Sequence, residues 1–551
     1  MIIYIIYFMS KNVNRLNLIF VDKMSSVKSF SQVKVFLAFL WKKRENYDII
    51  NHINTLRGEF MLLSKLLKKI EYSENIADAD ISHITNDSRE ARNGSVFVCV
   101  KGFATDGHLF AKKAYDNGCR VFVCEHRPKR LPQDATVILT SDTRAALALL
   151  SCELYQNPSN ELLVIGITGT KGKTTTALMI KQLLDKYGLP CGYVGSNGIL
   201  FGNTKIESTN TTPESYKLQY YMRKMADGGI KAIVMEVSSQ AMKLSRVLGI
   251  KFDITLFSNL SPDHIGPGEH DSFDEYFSCK KQFFDSFESK LTIANADDEY
   301  TAKILADCKN PKLYYSIDAP SDMRATNIKL FRSSEILGTK FDCHCDKQVL
   351  PATLAIPGEF NVHNALATLS VAKAIGISMN FAVDTLSNMN IDGRFETLVA
   401  DNGACFVIDY AHNGLSLKSA LGALREYNPN RLICLFGSVG CRTQFRRAQM
   451  GKVASEFADF SILTSDNPNT ENPQAIIDEI SVQFDDNSPY ISIPDRKEAI
   501  EYACEMAKEG DIILLAGKGH ERYQLINGKN EYFCEKEILD NHINKSKVTN
   551  Y

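Results

Sequence analysis

Residues 169–175 read Gly169-Thr170-Lys171-Gly172-Lys173-Thr174-Thr175, which puts two glycines, two lysines and three threonines into seven positions. An apolar run at 162–167 precedes them and a helical pattern at 177–187 follows. A strand, a glycine-rich turn with a lysine and a helix start make a cradle for phosphate. Backbone N–H groups and the positive end of the helix then face the anion. Lys173 would reach the terminal phosphates of a nucleoside triphosphate, and the Thr174 hydroxyl would bind Mg²⁺. The longer pattern G-x-x-x-x-G-K-[ST] asks for glycine at 167, where this chain has Ile167. A shorter loop stands instead, and the chemistry it predicts is the use of ATP.

Other polar groups stand where apolar runs end. Glu236-Val237-Ser238-Ser239 closes a run at 232–237, and Asn259 to His264 follow one at 254–258. Tyr276 to Lys280 lie on a helical pattern. With 291–295, these runs read as strands of the parallel type, whose carboxyl ends bind ligands in an open α/β sheet. A third set (406–410, 432–436, 460–464, 512–516), alternating with helical stretches, predicts a second doubly wound sheet. Nearer the start, 95–100 and 119–124 read as strands with a helix at 110–117 between them.

The fold class expected is therefore α/β in three domains. They are a small α/β domain at 61–160, a central phosphate-loop ATPase domain with a mostly parallel sheet at 161–392, and a Rossmann-like domain at 393–541. Residues 542–551 form a polar tail.

Bulk composition excludes several classes. A chain of 551 residues exceeds one core. Its 44% hydrophobic and 23% charged residues are ordinary for a globular enzyme, and a net charge of −2 provides no field for holding nucleic acid. No run approaches the ~20 apolar residues of a membrane span. The 14 cysteines are scattered, without a C-x-x-C pair, and Cys343-His344-Cys345 has no second half for a metal site. Such usage points to a reducing cytoplasm.

Segment 1–60 differs from the rest: no proline, one glycine, and the chain's single tryptophan, Trp41. Arg57-Gly58-Glu59 can be encoded by a purine-rich, ribosome-binding-like stretch ahead of Met61. Residues 1–60 are accordingly expected to be a leader outside the working fold, the alternative being an amphipathic extension in which 33–40 lies on a membrane surface.

Taken in order, these motifs resemble the Mur ligases, the ATP-dependent enzymes that build the peptidoglycan stem peptide, and most of all the branch that adds its third residue. The motifs are the phosphate loop, Glu236, His264, Tyr276 to Lys280, Gly358 to Ala365, Gly393-Arg394-Phe395-Glu396, Asp409 to His412, Asp466-Asn467-Pro468 and Gly517-Lys518-Gly519-His520-Glu521. The resemblance runs from about Met61 to about residue 541. It implies that a γ-phosphate is passed to a carboxylate, and that the resulting acyl phosphate is attacked by an amine. The catalyst's work is then alignment and neutralisation of anions.

The resemblance also implies the site. Lys173, Glu236, His264 and Lys280 are the catalytic set; Thr174, Glu236, His264 and a carbamylated Lys280 hold Mg²⁺. Gly169 to Thr175, Asn361, Asn364, Arg394, Asp409 and His412 bind ATP. The UDP-sugar substrate, a UDP-N-acetylmuramoyl dipeptide, falls to Ser88, Phe103, Ala104 and Thr105 in the first domain, with Asn210, Thr211, Thr212, Ser238 and Arg246 on the muramoyl-peptide side. A free diamino acid falls to Arg442, Asp466, Asn467, Pro468, Asn469, Gly517 and Glu521. A monomer acting in the cytoplasm is expected.

Departures from the family pattern concentrate on the amino-acid side. Members using meso-diaminopimelate usually read Asp-Asn-Pro-Arg, and lysine-adding members carry a small residue in the last place; here it is Asn469. The third residue stays open between meso-diaminopimelate, L-lysine and a similar diamine. Gln240 replaces a usual histidine, 265–268 departs from Leu-Asp-Tyr/Phe-His, and Cys441 stands where aspartate is common. A divergent paralogue with another amino acid or acceptor, such as folate or a polypeptide, is one alternative. A non-catalytic nucleotide-binding partner is another.

Overall fold

The computed structural model describes residues 5–8, 17–20, 60–70, 72, 77–102, 105–262, 265–266, 269–334, 336–441 and 444–543. Most of segment 1–60, including Trp41 and 33–40, and the tail beyond residue 543 lie outside the described residues.

Three sheets organise the rest, giving a mixed α/β protein of three domains. The first has four parallel strands in the order His83–Thr85, Ser95–Val98, Val121–Cys124, Thr136–Leu139. The second has 11 strands. Its middle is parallel, running Cys191–Gly195, Ala232–Glu236, Leu163–Thr168, Ile254–Phe257, Leu291–Asn295, Lys312–Ser316. Val164, Ile233 and Met235 face one apolar layer, while Ile165, Ile167 and Val234 face the other, so helices cover both sides. Both edges are antiparallel; the strands Met323–Arg332, Leu337–Cys345 and Gln348–Leu354 form a meander absent from the sequence expectation.

The third sheet has six strands, parallel except for its first pair, in the order Glu396–Val399, Cys405–Asp409, Ile512–Ala516, Leu432–Phe436, Phe460–Leu463, Tyr490–Ser492. The second and third sheets are joined by apolar packing and by Arg332, whose guanidinium donates to the carbonyls of Gly403, Gly510 and Asp511. Tyr216 Oη, donating to Glu90 Oε2 at 3.0 Å, ties the first domain to the second. Among the described residues no helix is long and apolar enough to cross a membrane.

One boundary moved for a physical reason. The helix after the phosphate loop spans Lys173–Tyr187, starting four residues before the expected 177. Thr174 to Thr176 have weak helix propensity, which hides the start. Tertiary bonds override it: Thr176 Oγ1 donates to Asn364 Oδ1 at 3.0 Å from a helix far along the chain.

Candidate active site

The phosphate loop leaves the strand Leu163–Thr168 at the middle of the central sheet. Gly169 has φ +150°, and a Cβ there would fall 2.0 Å from Ser258 Oγ; at Gly172 (φ +81°) it would fall 2.5 Å from Asn364 Oδ1. Only glycine lets the loop lie this close to its neighbours. The loop is also clamped from outside. Thr170 N donates to Asn259 O and Lys171 N to Asn259 Oδ1, both at 2.8 Å, and Ser258 Oγ donates to Lys171 O at 2.9 Å. Two ammonium groups converge on Gly169 O: Lys173 Nζ at 2.8 Å and Lys280 Nζ at 2.7 Å. Lys280, on the helix Phe273–Ser286, is 1% exposed and lies 4.6 Å from the Tyr276 ring centre. Tyr276 Oη meets Thr170 Oγ1 at 2.9 Å.

Glu236 ends the neighbouring strand and pairs in register with Ile167, so its side chain arrives beside the loop. It is 1% exposed. Oε1 accepts from Tyr193 Oη at 2.6 Å and Ser196 N at 3.0 Å; Oε2 accepts from Thr174 Oγ1 at 3.1 Å and Ser196 Oγ at 3.4 Å. Burial, and then the Glu236 charge, hold the Tyr193 phenol well above its usual range, so it remains a donor. A carboxylate oxygen beside two hydroxyls is a hard-oxygen set of the kind that suits Mg²⁺.

From Ser196 the network continues to Thr211 Oγ1 at 3.1 Å, while Thr212 Oγ1 donates to Glu236 O at 2.7 Å and Arg246 donates to Thr212 O at 3.1 Å and Glu214 Oε1 at 3.0 Å. Ser238 N donates to Thr212 Oγ1 at 3.1 Å, and Ser238 caps the short helix Ser239–Lys243. Asn210 stands just before, its carbonyl accepting from Ser208 Oγ at 2.7 Å.

Asn361 and Asn364 lie in the first turns of the helix Phe360–Ala374, and both are buried. Asn361 Nδ2 donates to Pro357 O at 2.7 Å and Asn364 Nδ2 to Asn361 Oδ1 at 2.8 Å. With Thr176 on Asn364 Oδ1, the pair braces the phosphate loop from behind.

The third domain contributes an aromatic and charged group. The Arg394 guanidinium lies 4.9 Å from the Tyr410 ring centre, and the His412 and His520 rings stand 4.7 and 4.9 Å from that ring. Burial raises the Asp409 carboxyl, with Arg394 opposing; burial lowers His412, and pushes His520 down to about 3 with help from Arg394. Both imidazoles are therefore neutral at pH 7. A Cβ at Gly393 would fall 2.0 Å from His520 N, so the link between the second and third domains crosses the 517–521 loop at glycine.

Asp466, Asn467, Gly517 and Glu521 gather at the carboxyl ends of the strands Phe460–Leu463 and Ile512–Ala516. Asn467 Nδ2 donates to Glu521 Oε2 at 3.0 Å, and Pro468 O lies against Gly440. Asn469 has φ +54°, and its Oδ1 accepts from Gly528 N at 2.9 Å in the hairpin that joins Tyr523–Ile526 to Lys529–Tyr532.

In the first domain Ser88 is buried, its carbonyl accepting from Asn117 Nδ2 at 2.8 Å, and Thr105 O accepts from Gly102 N at 2.8 Å. Phe103, Ala104, His264 and Arg442 lie outside the described residues. The sequence did not single out Tyr193 or Ser196, and Asn259, Lys518 and His520 stood within motifs without roles. Tyr193 reaches Glu236 only because the strand Cys191–Gly195 lies beside Ala232–Glu236, which no local pattern encodes.

Comparison with known proteins places this geometry. Three family models match in succession: "Mur ligase family, catalytic domain" at residues 80–155, "Mur ligase middle domain" at 167–372, and "Mur ligase, glutamate ligase domain" at 393–519. A protein of Clostridium botulinum named UDP-N-acetylmuramoyl-L-alanyl-D-glutamate–2,6-diaminopimelate ligase is 39% identical over 488 residues, covering 87% of this chain and 99% of its own. A protein of the same name from Caldanaerobacter subterraneus is 39% identical over 481 residues, covering 87% and 98%. A solved structure of a ligase with that name superposes with a TM-score of 0.65 at 27% identity, covering 89% of this chain and 99% of the other.

Proposed function

The chain belongs to the Mur ligase family, and on that premise we propose that it is an ATP-dependent ligase joining 2,6-diaminopimelate to UDP-N-acetylmuramoyl-L-alanyl-D-glutamate in peptidoglycan precursor synthesis. The observation that carries the reading is the clamped phosphate loop with Glu236 pinned beside Thr174. The relatives' names supply the substrates. Domain limits at 61–160, 161–392 and 393–541, a monomer and a cytoplasmic setting belong to the same proposal.

A carboxylate is a poor acyl donor, so the γ-phosphoryl group of ATP is first moved to the substrate carboxylate, and the amine then displaces phosphate. Lys173 neutralises the terminal phosphates. Thr174, Glu236 and His264 would hold Mg²⁺, which supplies charge neutralisation between phosphate and carboxylate. A carbamate on Lys280 would keep an N–H for Gly169 O and add oxygen donors toward that ion. Thr211, Thr212, Ser238 and Arg246 take the peptide side of the acceptor, and Ser88 with 103–105 the uridine side. Arg394, Asp409 and His412 hold the nucleoside, and Arg442, Asp466, Asn467 and Glu521 the diamino acid. The reading is tested by incubating the enzyme with ATP, Mg²⁺ and the UDP-muramoyl dipeptide, offering meso-diaminopimelate or L-lysine, and weighing the product. Adduct with diaminopimelate is expected; no ATP consumption with either diamine would overturn the assignment.

In this proposal Asn469 serves a second task beside its αL backbone and its bond to Gly528: its Nδ2 donates to a distal carboxylate of the amino acid. Asn469→Asp keeps the backbone preference and the acceptor oxygen but replaces the donor by a like charge. It should raise the KM for diaminopimelate by about tenfold, with the KM for ATP unmoved. Equal kinetics in the two proteins would remove Asn469 from substrate recognition.

A further inference from the structure

Lys518 takes no part in the chemistry above, yet it sits at the centre of the amino-acid cluster. Its side chain is 0% exposed. Nζ donates to Glu521 Oε2 at 2.7 Å and to Asn467 Oδ1 at 2.8 Å, and stands 5.1 Å from the Tyr523 ring centre. A buried ammonium persists only where its partners compensate it, so this position is built by the groups around it.

Those bonds set the orientation of two neighbours. Asn467 Oδ1 accepts from Lys518 Nζ and from Leu525 N at 2.9 Å, which turns Nδ2 toward Glu521 Oε2 at 3.0 Å. Oε2 of Glu521 thus carries two donors, while among the described residues Oε1 receives a single long contact, from Tyr410 Oη at 3.4 Å. Asp466 Oδ1 is buried, 3.8 Å from Lys518 Nζ, and has no hydrogen bond among the described residues. Among the described residues, two acceptor oxygens of the cluster, Asp466 Oδ1 and Glu521 Oε1, are thus the least satisfied, and both lie close to Lys518.

The charges agree with this. Arg496 and Glu535 pair at 2.8 Å and neutralise one another. Among the described side chains, Lys518 faces two carboxylates, Asp466 and Glu521, so its single ammonium is outnumbered by the acidic groups in contact with it. That pair attracts an arriving ammonium. Without Lys518 the two carboxylates would repel one another, and Asn467 would lose the bond that aims its amide.

We propose that Lys518 is a positioning residue for the amino-acid substrate: it fixes Asn467 and Glu521 and sets the local charge so that a single ammonium group of the diamino acid is bound there. The proposal rests on the ligase reading above.

Lys518→Met removes the charge and both hydrogen bonds; Lys518→Gln keeps a donor for Asn467 and is the milder change for folding. Both variants should raise the KM for diaminopimelate by about tenfold or more. The KM values for ATP and the UDP-muramoyl dipeptide should stay within about threefold, and kcat at saturation should fall less than KM rises. A diaminopimelate KM that does not move in either variant, or a rise shared equally by all three substrates, overturns the role. The two readings separate: a wild-type enzyme that forms no product sinks the ligase assignment, whereas a productive wild type with an unaltered diaminopimelate KM in both Lys518 variants sinks only the positioning role.

Discussion

Lys280→Ala is expected to lower turnover by about a thousandfold or more, with the protein still folded and still binding ATP. The side chain is buried and its Nζ reaches Gly169 O at 2.7 Å, at the start of the phosphate loop. Two losses follow from its removal: a donor that pins the loop, and the arm on which a carbamate would extend toward the cation. Lys280→Arg separates them, because a guanidinium can still donate to Gly169 O but does not form a carbamate. Turnover that stays low in the arginine variant, and recovers partly in the alanine variant with added short carboxylates, assigns the larger share to the carbamate. Recovery in the arginine variant would assign it to the loop. Full activity in Lys280→Ala would remove the residue from the mechanism. Steady-state rates with a nucleotide-binding titration decide among these outcomes.

What the sequence discloses about this site follows from how local each part is. The phosphate loop is continuous in the chain, and its glycines announce themselves because each allows an approach that a side chain would block. Glu236 is legible for a similar reason: a charged residue ending an apolar run must lie at the carboxyl edge of a buried strand. Tyr276 to Lys280 read as helical from the sequence, and the helix Phe273–Ser286 bears that out. The supports are a different matter. Tyr193 meets Glu236 through sheet order, and Asn364 meets Thr176 across 188 residues, so neither contact has a signature in any window of the chain. Asn361 and Asn364 belong here too. Their spacing places them on one face, while the bonds of their amides to Pro357, to each other and to Thr176 have no signature in the sequence. Asn469 carries the same lesson. An asparagine in a turn reads as a substrate contact or as loop chemistry with equal ease, and its positive φ and its bond to Gly528 appear only when the hairpin is folded against it.

The supports bear directly on the second large effect. In Glu236→Gln the amide oxygen can take the place of Oε1, so the bonds from Tyr193 Oη and Ser196 N survive. On the other side an N–H₂ replaces Oε2 and faces the hydroxyls of Thr174 and Ser196, which can rotate to accept. Folding stability should therefore change by no more than about 1 kcal/mol. Turnover should not be spared. The substitution removes the negative charge from the oxygen set and points a donor at the place where a cation would sit, so the neutralisation that phosphoryl transfer needs is lost. A fall in kcat of about a hundredfold to a thousandfold is expected, along with a marked rise in the Mg²⁺ concentration required. Tyr193→Phe supplies the intermediate case. It removes one donor from Oε1 and leaves the charge, so the carboxylate is less firmly held but still present, and the same measurements should shift by about tenfold. Rates measured across a Mg²⁺ titration, beside a thermal melt, separate the two variants. A Glu236→Gln protein with wild-type activity at ordinary Mg²⁺ would show that the cation is held elsewhere. A Glu236→Gln protein that melts far below wild type would instead make the carboxylate a folding element and leave the hydroxyls of Thr174 and Ser196 to be explained by packing.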